Sequence, residues 1–167
     1  MTDVFDKAKR SDVMSRIRGR GNRSTEMKLV AAFKAAGVGG WRRHVRLTPR
    51  AVPDEVELQI KPNRLKVEPD FIFRPQKLAV FVDGCFWHGC PLHATKPKAN
   101  AEMWQRKLEG NIRRDKRASK ALEAAGWKVV RIWEHELVDT DVLVKRIKED
   151  LSTRSQACVP IERKHAK

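Results

Sequence analysis

Cysteine is scarce in this chain: three residues in 167, too few for the disulfide framework of a small secreted domain. Long apolar runs are missing too. Nothing approaches the roughly 20 consecutive apolar residues that a membrane-spanning helix needs, and residues 1–10 are polar. Neither a transmembrane span nor a secretion signal is therefore expected, and the cytoplasm is the expected location. No internal repeat is visible. Acidic residues are outnumbered, with 21 Asp and Glu against 36 Lys and Arg, so the formal charge is +15 when the five His are counted as neutral. What is present is a 41 % hydrophobic share in periodic blocks, enough to bury a core despite 34 % charged residues. The length fits one domain over residues 1–151, with 1–23 a basic N-terminal arm and short helix and 152–167 a polar tail. Its basic surplus calls for a polyanionic partner. Nucleic acid fits better than a membrane surface, because the charge is not gathered on one continuous amphipathic helix.

The apolar periodicity interleaves helices and strands. Ser11 can cap a short helix over 12–18 with Val13 and Ile17 inward, and a basic loop follows. Ser24 or Thr25 caps a second helix, whose apolar face is Leu29, Val30, Phe33 and Ala36 and whose stop is Gly37. Trp41, Val45 and Leu47 alternate with polar residues as a strand does. Val56, Leu58 and Ile60 alternate too, and Lys61-Pro62-Asn63 turns the chain toward Leu65 and Val67, an extra hairpin. The runs 71–73 and 78–82 form a central hairpin buried on both faces. A long basic helix capped by Asn100 runs through Trp104, Leu108, Ile112 and Leu122 to a stop at Gly126. Residues 127–133 make another strand and 142–151 a last helix, giving an α/β fold with a mixed sheet.

Two cysteines stand at Cys85-x4-Cys90, with His93 three residues on. A tight, glycine-bounded loop at this spacing can wrap one ion, and thiolates favour Zn²⁺ over Mg²⁺. The fourth ligand is assigned to His135, at a strand end. Two thiolates, two neutral imidazoles and Zn²⁺ sum to zero charge, which lowers the cost of burial. The competing reading is two buried thiols and ordinary surface histidines. Cys158, in the polar tail, reads as a free thiol.

Asp70 opens a buried strand, where an unpaired carboxylate is costly, and Asp83 ends the next one. Side by side, the two could hold Mg²⁺ against a phosphodiester; alternatively Asp70 is a turn carboxylate at a strand start. His88, between the two cysteines, is a candidate general base or a third zinc ligand. Phe86, Trp87 and Trp104 lie beside basic residues, where aromatic rings stack on or wedge between bases, or else join the core. Trp41, Trp127 and Trp133 fall within strand patterns and are assigned to the core.

Pro69-Asp70-Phe71, then Phe81-Val82-Asp83-Gly84-Cys85-Phe86-Trp87-His88-Gly89-Cys90-Pro91, then Asn111-x3-Asp115 and Trp133-Glu134-His135 form an ordered set. Over about residues 3–138 the chain strongly resembles the very-short-patch repair endonucleases, zinc-containing relatives of the restriction-endonuclease fold. The resemblance implies a restriction-endonuclease-like mixed sheet flanked by helices, with a structural zinc. It also implies a strand-specific nick on the 5′ side of the thymine in a T:G mismatch left by 5-methylcytosine deamination. It makes Asp70 the ligand of a catalytic Mg²⁺ beside the Val82 carbonyl, His88 the catalytic histidine and Glu26 a helix acid near the active site. Cys85, Cys90, His93 and His135 fall on the zinc positions. Phe86, Trp87 and Trp104 match a wedge beside the mismatch, Met14 a side chain intercalating from the opposite groove, and Lys107 and Asn111 contacts to the wobble pair. The implied partners are double-stranded DNA with a T:G mismatch and mismatch-repair proteins, for a monomeric enzyme that binds no membrane. Two departures stand out. Asp83 replaces a histidine of the best-known enterobacterial member, leaving its part in holding metal or water open, and residues 48–68 are longer than expected. The other classes are a zinc-stabilised DNA-binding module without catalysis and a restriction-type endonuclease on matched or modified DNA. The first leaves Asp70 and His88 without work.

Overall fold

A computed structural model describes residues 21–22, 24–49, 65–93, 95, 97 and 100–157. The Ser11 helix, Met14, nearly all of the basic arm, the hairpin over Val56–Ile60 and Cys158 lie outside the described residues.

The apolar run Phe71–Phe73 becomes a strand with all three side chains buried, here β2, because both faces of the sheet are covered. It lies between β1 (Trp41–Arg43) and β3 (Leu78–Asp83), antiparallel to each. Beyond β3 comes β4 (Lys128–Trp133), running parallel to it, so the sheet order is β1-β2-β3-β4. Phe71, Phe73, Leu78, Val80, Val130 and Ile132 face one way. Against them pack Leu29, Val30 and Phe33 of helix α1 (Glu26–Ala35) and Leu143, Val144 and Ile147 of a C-terminal helix (Thr140–Ala157). The other face, with Ile72 and Ala79, receives Ala121 and Leu122 of helix α2 (Ala101–Ala124) and the loop residues Leu65 and Val67. The C-terminal helix is α3. Phe33, Phe71 and Phe73 meet edge-on at 5.4 and 6.0 Å between ring centres, an arrangement that adds to their area burial. The expected α/β class with a mixed sheet flanked by helices is what the chain forms, and among the described residues that sheet has four strands. No described helix is long and apolar enough to cross a membrane.

One consequence of the topology positions the loops at the sheet's edge. A parallel pair needs a crossover, and α2 supplies it. The C-terminal ends of β3 and β4 are thus neighbours, with Asp83 opposite Trp133. The loop after β3 and the 3₁₀ turn Glu134–Val138 after β4 leave the sheet side by side.

Several local expectations need correction. The strand predicted over Trp41, Val45 and Leu47 ends at Arg43, because His44 takes a left-handed backbone (φ 51°) that breaks the pleat. Leu47 pairs afterwards only as an isolated bridge to Val67. Gly37 does close α1 with positive φ, but neither Thr25 nor Asn100 makes a side-chain cap; Asn100 is itself left-handed. The last helix starts at Thr140 and continues past residue 151, taking the beginning of the presumed tail into the fold. Trp41 and Trp127 flank the core half-buried, whereas Trp133 belongs to neither core cluster.

Candidate active site and metal centre

The loop after β3 turns tightly: the amides of Trp87 and His88 bond to the Gly84 carbonyl, and the Cys90 amide bonds to that of Cys85. Gly89 (φ 68°) is required here. A Cβ on it would lie 2.6 Å from Ile112 Cδ1 of α2, so the loop is pressed against that helix. This turn presents Cys85 and Cys90 to the 3₁₀ segment after β4. The Cys85 sulfur lies 3.2 Å from His135 Nδ1, and the Cys90 sulfur 3.6 Å from the same nitrogen and 3.8 Å from His93 Nδ1. Metal–ligand lengths of about 2.3 Å to sulfur and 2.0 Å to nitrogen place the vertices of a zinc tetrahedron roughly 3.3 to 3.8 Å apart. The donor set, two sulfurs and two imidazoles with all four atoms within 4.8 Å of one another, fits that ion. Burial raises the Cys85 thiol above its ordinary range, a cost that a bound dication reverses.

On the α2 side of the sheet, a cleft of about 750 Å³ opens between the β3 end, α2 and the start of α1. Asp70 sits at its floor, one carboxylate oxygen accepting from the Val82 amide at 2.7 Å. Burial pushes its pKa up to about 6 against the lowering effect of that hydrogen bond, with Glu26 and Asp83 adding repulsion. Glu26, almost fully buried, accepts from Arg43 at 2.5 Å, contacts His44 Nε2 at 2.9 Å and receives the Gly21 amide at 3.0 Å. Glu26, His44 and Asp70 each bring a ligand atom within 4.8 Å of the others. Their carboxylate oxygens suit a hard cation such as Mg²⁺ or Mn²⁺.

A second constellation lines the same cleft. His88 Nδ1 lies 2.6 Å from Asp115 Oδ2 and 3.5 Å from Asp83 Oδ1. Burial opposes charge on His88, but Asp115 and Asp83 outweigh it and raise its pKa. Burial likewise opposes charge on Asp115, yet His88 and Arg131 hold its carboxyl below the usual range. Arg131 grips Asp83 with two nitrogens, at 2.5 and 2.8 Å. Beside this network Phe86, Trp87 and Trp104 form a half-buried aromatic cluster with ring centres 5.0 to 5.8 Å apart. The Lys107 ammonium lies over both tryptophans, 5.1 Å from Trp87 and 5.4 Å from Trp104. Asn111 ties α2 to the loop by donating to the Trp87 carbonyl at 3.0 Å.

Comparison with known proteins bears on this geometry. A family model described as DNA mismatch endonuclease Vsr matches residues 55–93. Over 155 residues the chain is 28 % identical to DNA mismatch endonuclease Vsr of Escherichia coli (strain K12), an alignment covering 89 % of this chain and 87 % of that one. Over most of its length the chain is similar to the Vsr endonucleases. Locally it is closer to proteins named Type II nicking enzymes. It is 50 % identical over 72 residues to V.NaeI of Lentzea aerocolonigenes, covering 43 % of each chain. With V.XorIIP of Xanthomonas oryzae pv. oryzae it shares 41 % over 85 residues, covering 50 % of this chain and 62 % of the other. These two alignments span about half of the relatives' own length.

In this chain the four residues expected around zinc come together, and Asp70, Glu26 and His88 share one cleft. Asp83 does not join Asp70 at a common ion. Both its oxygens are taken by Arg131, and the groups grouped with Asp70 are Glu26 and His44. His88 turns its Nδ1 to Asp115 and is not among the clustered Cys and His ligands, which removes its reading as a third zinc ligand. Val82 meets Asp70 through its amide. Four participants had no role from sequence: His44, Arg43, Asp115 and Arg131. For Arg131 a signal existed, since a charge at the alternation position shared with Val129 on a covered strand needs a buried partner.

Proposed function

We propose that this chain is a strand-specific DNA nicking endonuclease that recognises T:G mismatches and cuts on the 5′ side of the mismatched thymine. The observation that carries the reading is the meeting, in one cleft, of a hydrogen-bonded His88–Asp115 pair and the raised carboxyl of Asp70, beside an aromatic cluster. Similarity to the Vsr endonucleases and to relatives named as nicking enzymes supports it.

His88 serves as general base. Its Nδ1 faces Asp115, so the opposite nitrogen, Nε2, is free to accept a proton from water, and Asp115 stabilises the imidazolium that forms. Asp70, with Glu26 and His44 beside it, would hold Mg²⁺, which would supply positive charge toward the scissile phosphate. Lys and Arg side chains along α2 bind phosphates without reading sequence. Phe86, Trp87 and Trp104 enter the duplex at the mismatch. A wobble pair stacks poorly, so wedging there costs less than at a matched step, and deformability contributes to selectivity. Cys85, Cys90, His93 and His135 would hold zinc as a structural cross-link between the loop and the β4 end.

The test uses end-labelled duplexes differing only in T:G against C:G at one position, with Mg²⁺ present. A nick confined to the T strand of the mismatch is expected. Cleavage of both duplexes would instead indicate a restriction-type enzyme, and binding without cleavage a non-catalytic module.

A further inference from the structure

Asp83, Asp115 and His88 form a triangle whose outcome is not fixed by those three residues. His88 Nδ1 has two carboxylates within reach, Asp115 at 2.6 Å from α2 and Asp83 at 3.5 Å from the end of β3. It has one proton to give on that side. A base needs one preferred partner, because the direction of the Nδ1 bond sets where Nε2 points.

Arg131 decides between the two. It leaves β4 on the α2 face, beside Phe81 in the parallel register, with its guanidinium 4.8 Å from the Phe81 ring centre. Nε and Nη2 engage Asp83 as a fork, at 2.5 and 2.8 Å. Nη2 also reaches Asp115 Oδ1 at 3.2 Å, leaving Oδ2 for His88. Nη1 spans to the Ser119 hydroxyl at 3.3 Å and to the Asp115 carbonyl at 3.5 Å, both on α2. One planar group thus saturates the buried carboxylate that would compete for His88, and fixes the rotation of the carboxylate that wins. Lysine could not do this, since a point ammonium has no fork.

We propose that Arg131 is a positioning residue for the nicking reaction: it assigns His88 to Asp115 by occupying Asp83, and so aims His88 Nε2 into the cleft. Asp83 is then the counter-anion that keeps Arg131 in place. This inference rests on the reading of His88 as general base, and it explains why an aspartate can stand at this strand end without serving the metal.

The test compares wild type, Arg131→Met, Arg131→Lys and the double variant Arg131→Met/Asp83→Asn, each checked for folding by circular dichroism. Single-turnover nicking and DNA affinity are measured separately, and the His88 Nδ1 proton is followed by NMR. A misplaced base costs on the order of 100-fold in rate. Arg131→Met should lose about that factor from the chemical step with DNA affinity nearly unchanged, and its short Nδ1–H···O proton signal should move or vanish. The double variant, lacking the competing carboxylate charge, should recover most of the rate and the signal, whereas Arg131→Lys should not. A folded Arg131→Met with wild-type rate and Nδ1 signal would overturn the proposal. So would a loss confined to DNA affinity, which would make Arg131 a phosphate contact. Where Arg131→Met does not fold, the double variant and Arg131→Lys decide by the same two readouts. If wild type itself does not nick, the nuclease reading fails, while the NMR comparison still tests whether Arg131 selects the partner of His88.

Discussion

The carboxylate of Asp70 is a source of instability when no cation is bound. Its pKa stands at about 6 in the folded chain against 3.8 for the ordinary group. At 1.36 kcal/mol per unit, this amounts to about 3 kcal/mol in favour of the protonated form. The sign follows from the direction. The folded pKa is raised, so the stabilising effect of the proton is complete below pH 3.8 and is lost as pH rises through 6, leaving ionised Asp70 a net cost at pH 8. Asp70→Asn removes the charge and keeps a carbonyl oxygen to accept from the Val82 amide, now at 2.7 Å from the carboxylate. In Mg²⁺-free buffer with zinc retained, the variant should therefore be more stable than wild type at pH 8 by about 3 kcal/mol. For a chain of this length that is roughly 6 to 12 °C in Tm. The gain should shrink steadily below pH 6, and added Mg²⁺ should raise the Tm of wild type and not of the variant. Calorimetric scans at several pH values measure all of this. A variant no more stable than wild type at pH 8, or a gain that persists at pH 4, would refute the argument. Nicking should be lost in the same protein with mismatch binding retained, so that the residue that costs stability is the one that supplies function.

Purified protein should carry about one zinc per chain by elemental analysis, and His135→Ala should lower metal content and unfolding temperature together; zinc-free native protein would remove the site. Trp87→Ala should bring the affinities for T:G and T:A duplexes closer together, and equal discrimination by the variant would count against the wedge. DNA affinity should fall linearly with salt on a double-logarithmic plot, with a slope that Arg113→Ala or Arg114→Ala makes shallower by about one; an unchanged slope would place the phosphates elsewhere. His88→Ala should abolish nicking while sparing binding, and loss of binding alone would assign it to recognition.

How far the site could be read from sequence depended on how local its causes are. Cys85, Cys90 and His93 lie within nine positions, so one turn brings them together, and His135 followed from its place at a strand end. Phe71–Phe73 and the run 78–82 were readable because a strand covered on both faces is apolar along its length. The fate of Asp83 was not readable. It depends on which residue of β4 faces it across a parallel pair whose register is set by the crossover helix, and on a guanidinium 48 positions away. His44 escaped for a different reason: the strand pattern through Leu47 concealed a left-handed residue that turns its ring toward Glu26. Pairwise alternation indicates which face a residue takes, and is silent on where a strand stops.

The parallel pairing of β3 and β4 has a further consequence for how the site behaves as a unit. The loop from Gly84 to Cys90 carries His88, Phe86 and Trp87, and it is held at three places: by Asn111 on the Trp87 carbonyl, by Ile112 against Gly89, and by its two cysteines toward His135. The first two anchors are on α2 and the third on the turn after β4. Zinc at the third would touch neither the aromatic cluster nor the His88–Asp115 bond. Its removal would nevertheless free the one end of the loop that α2 does not grip. Catalysis and mismatch discrimination should therefore decline in parallel as zinc is withdrawn. Binding to matched DNA, which rests on the charges of α2, should outlast both.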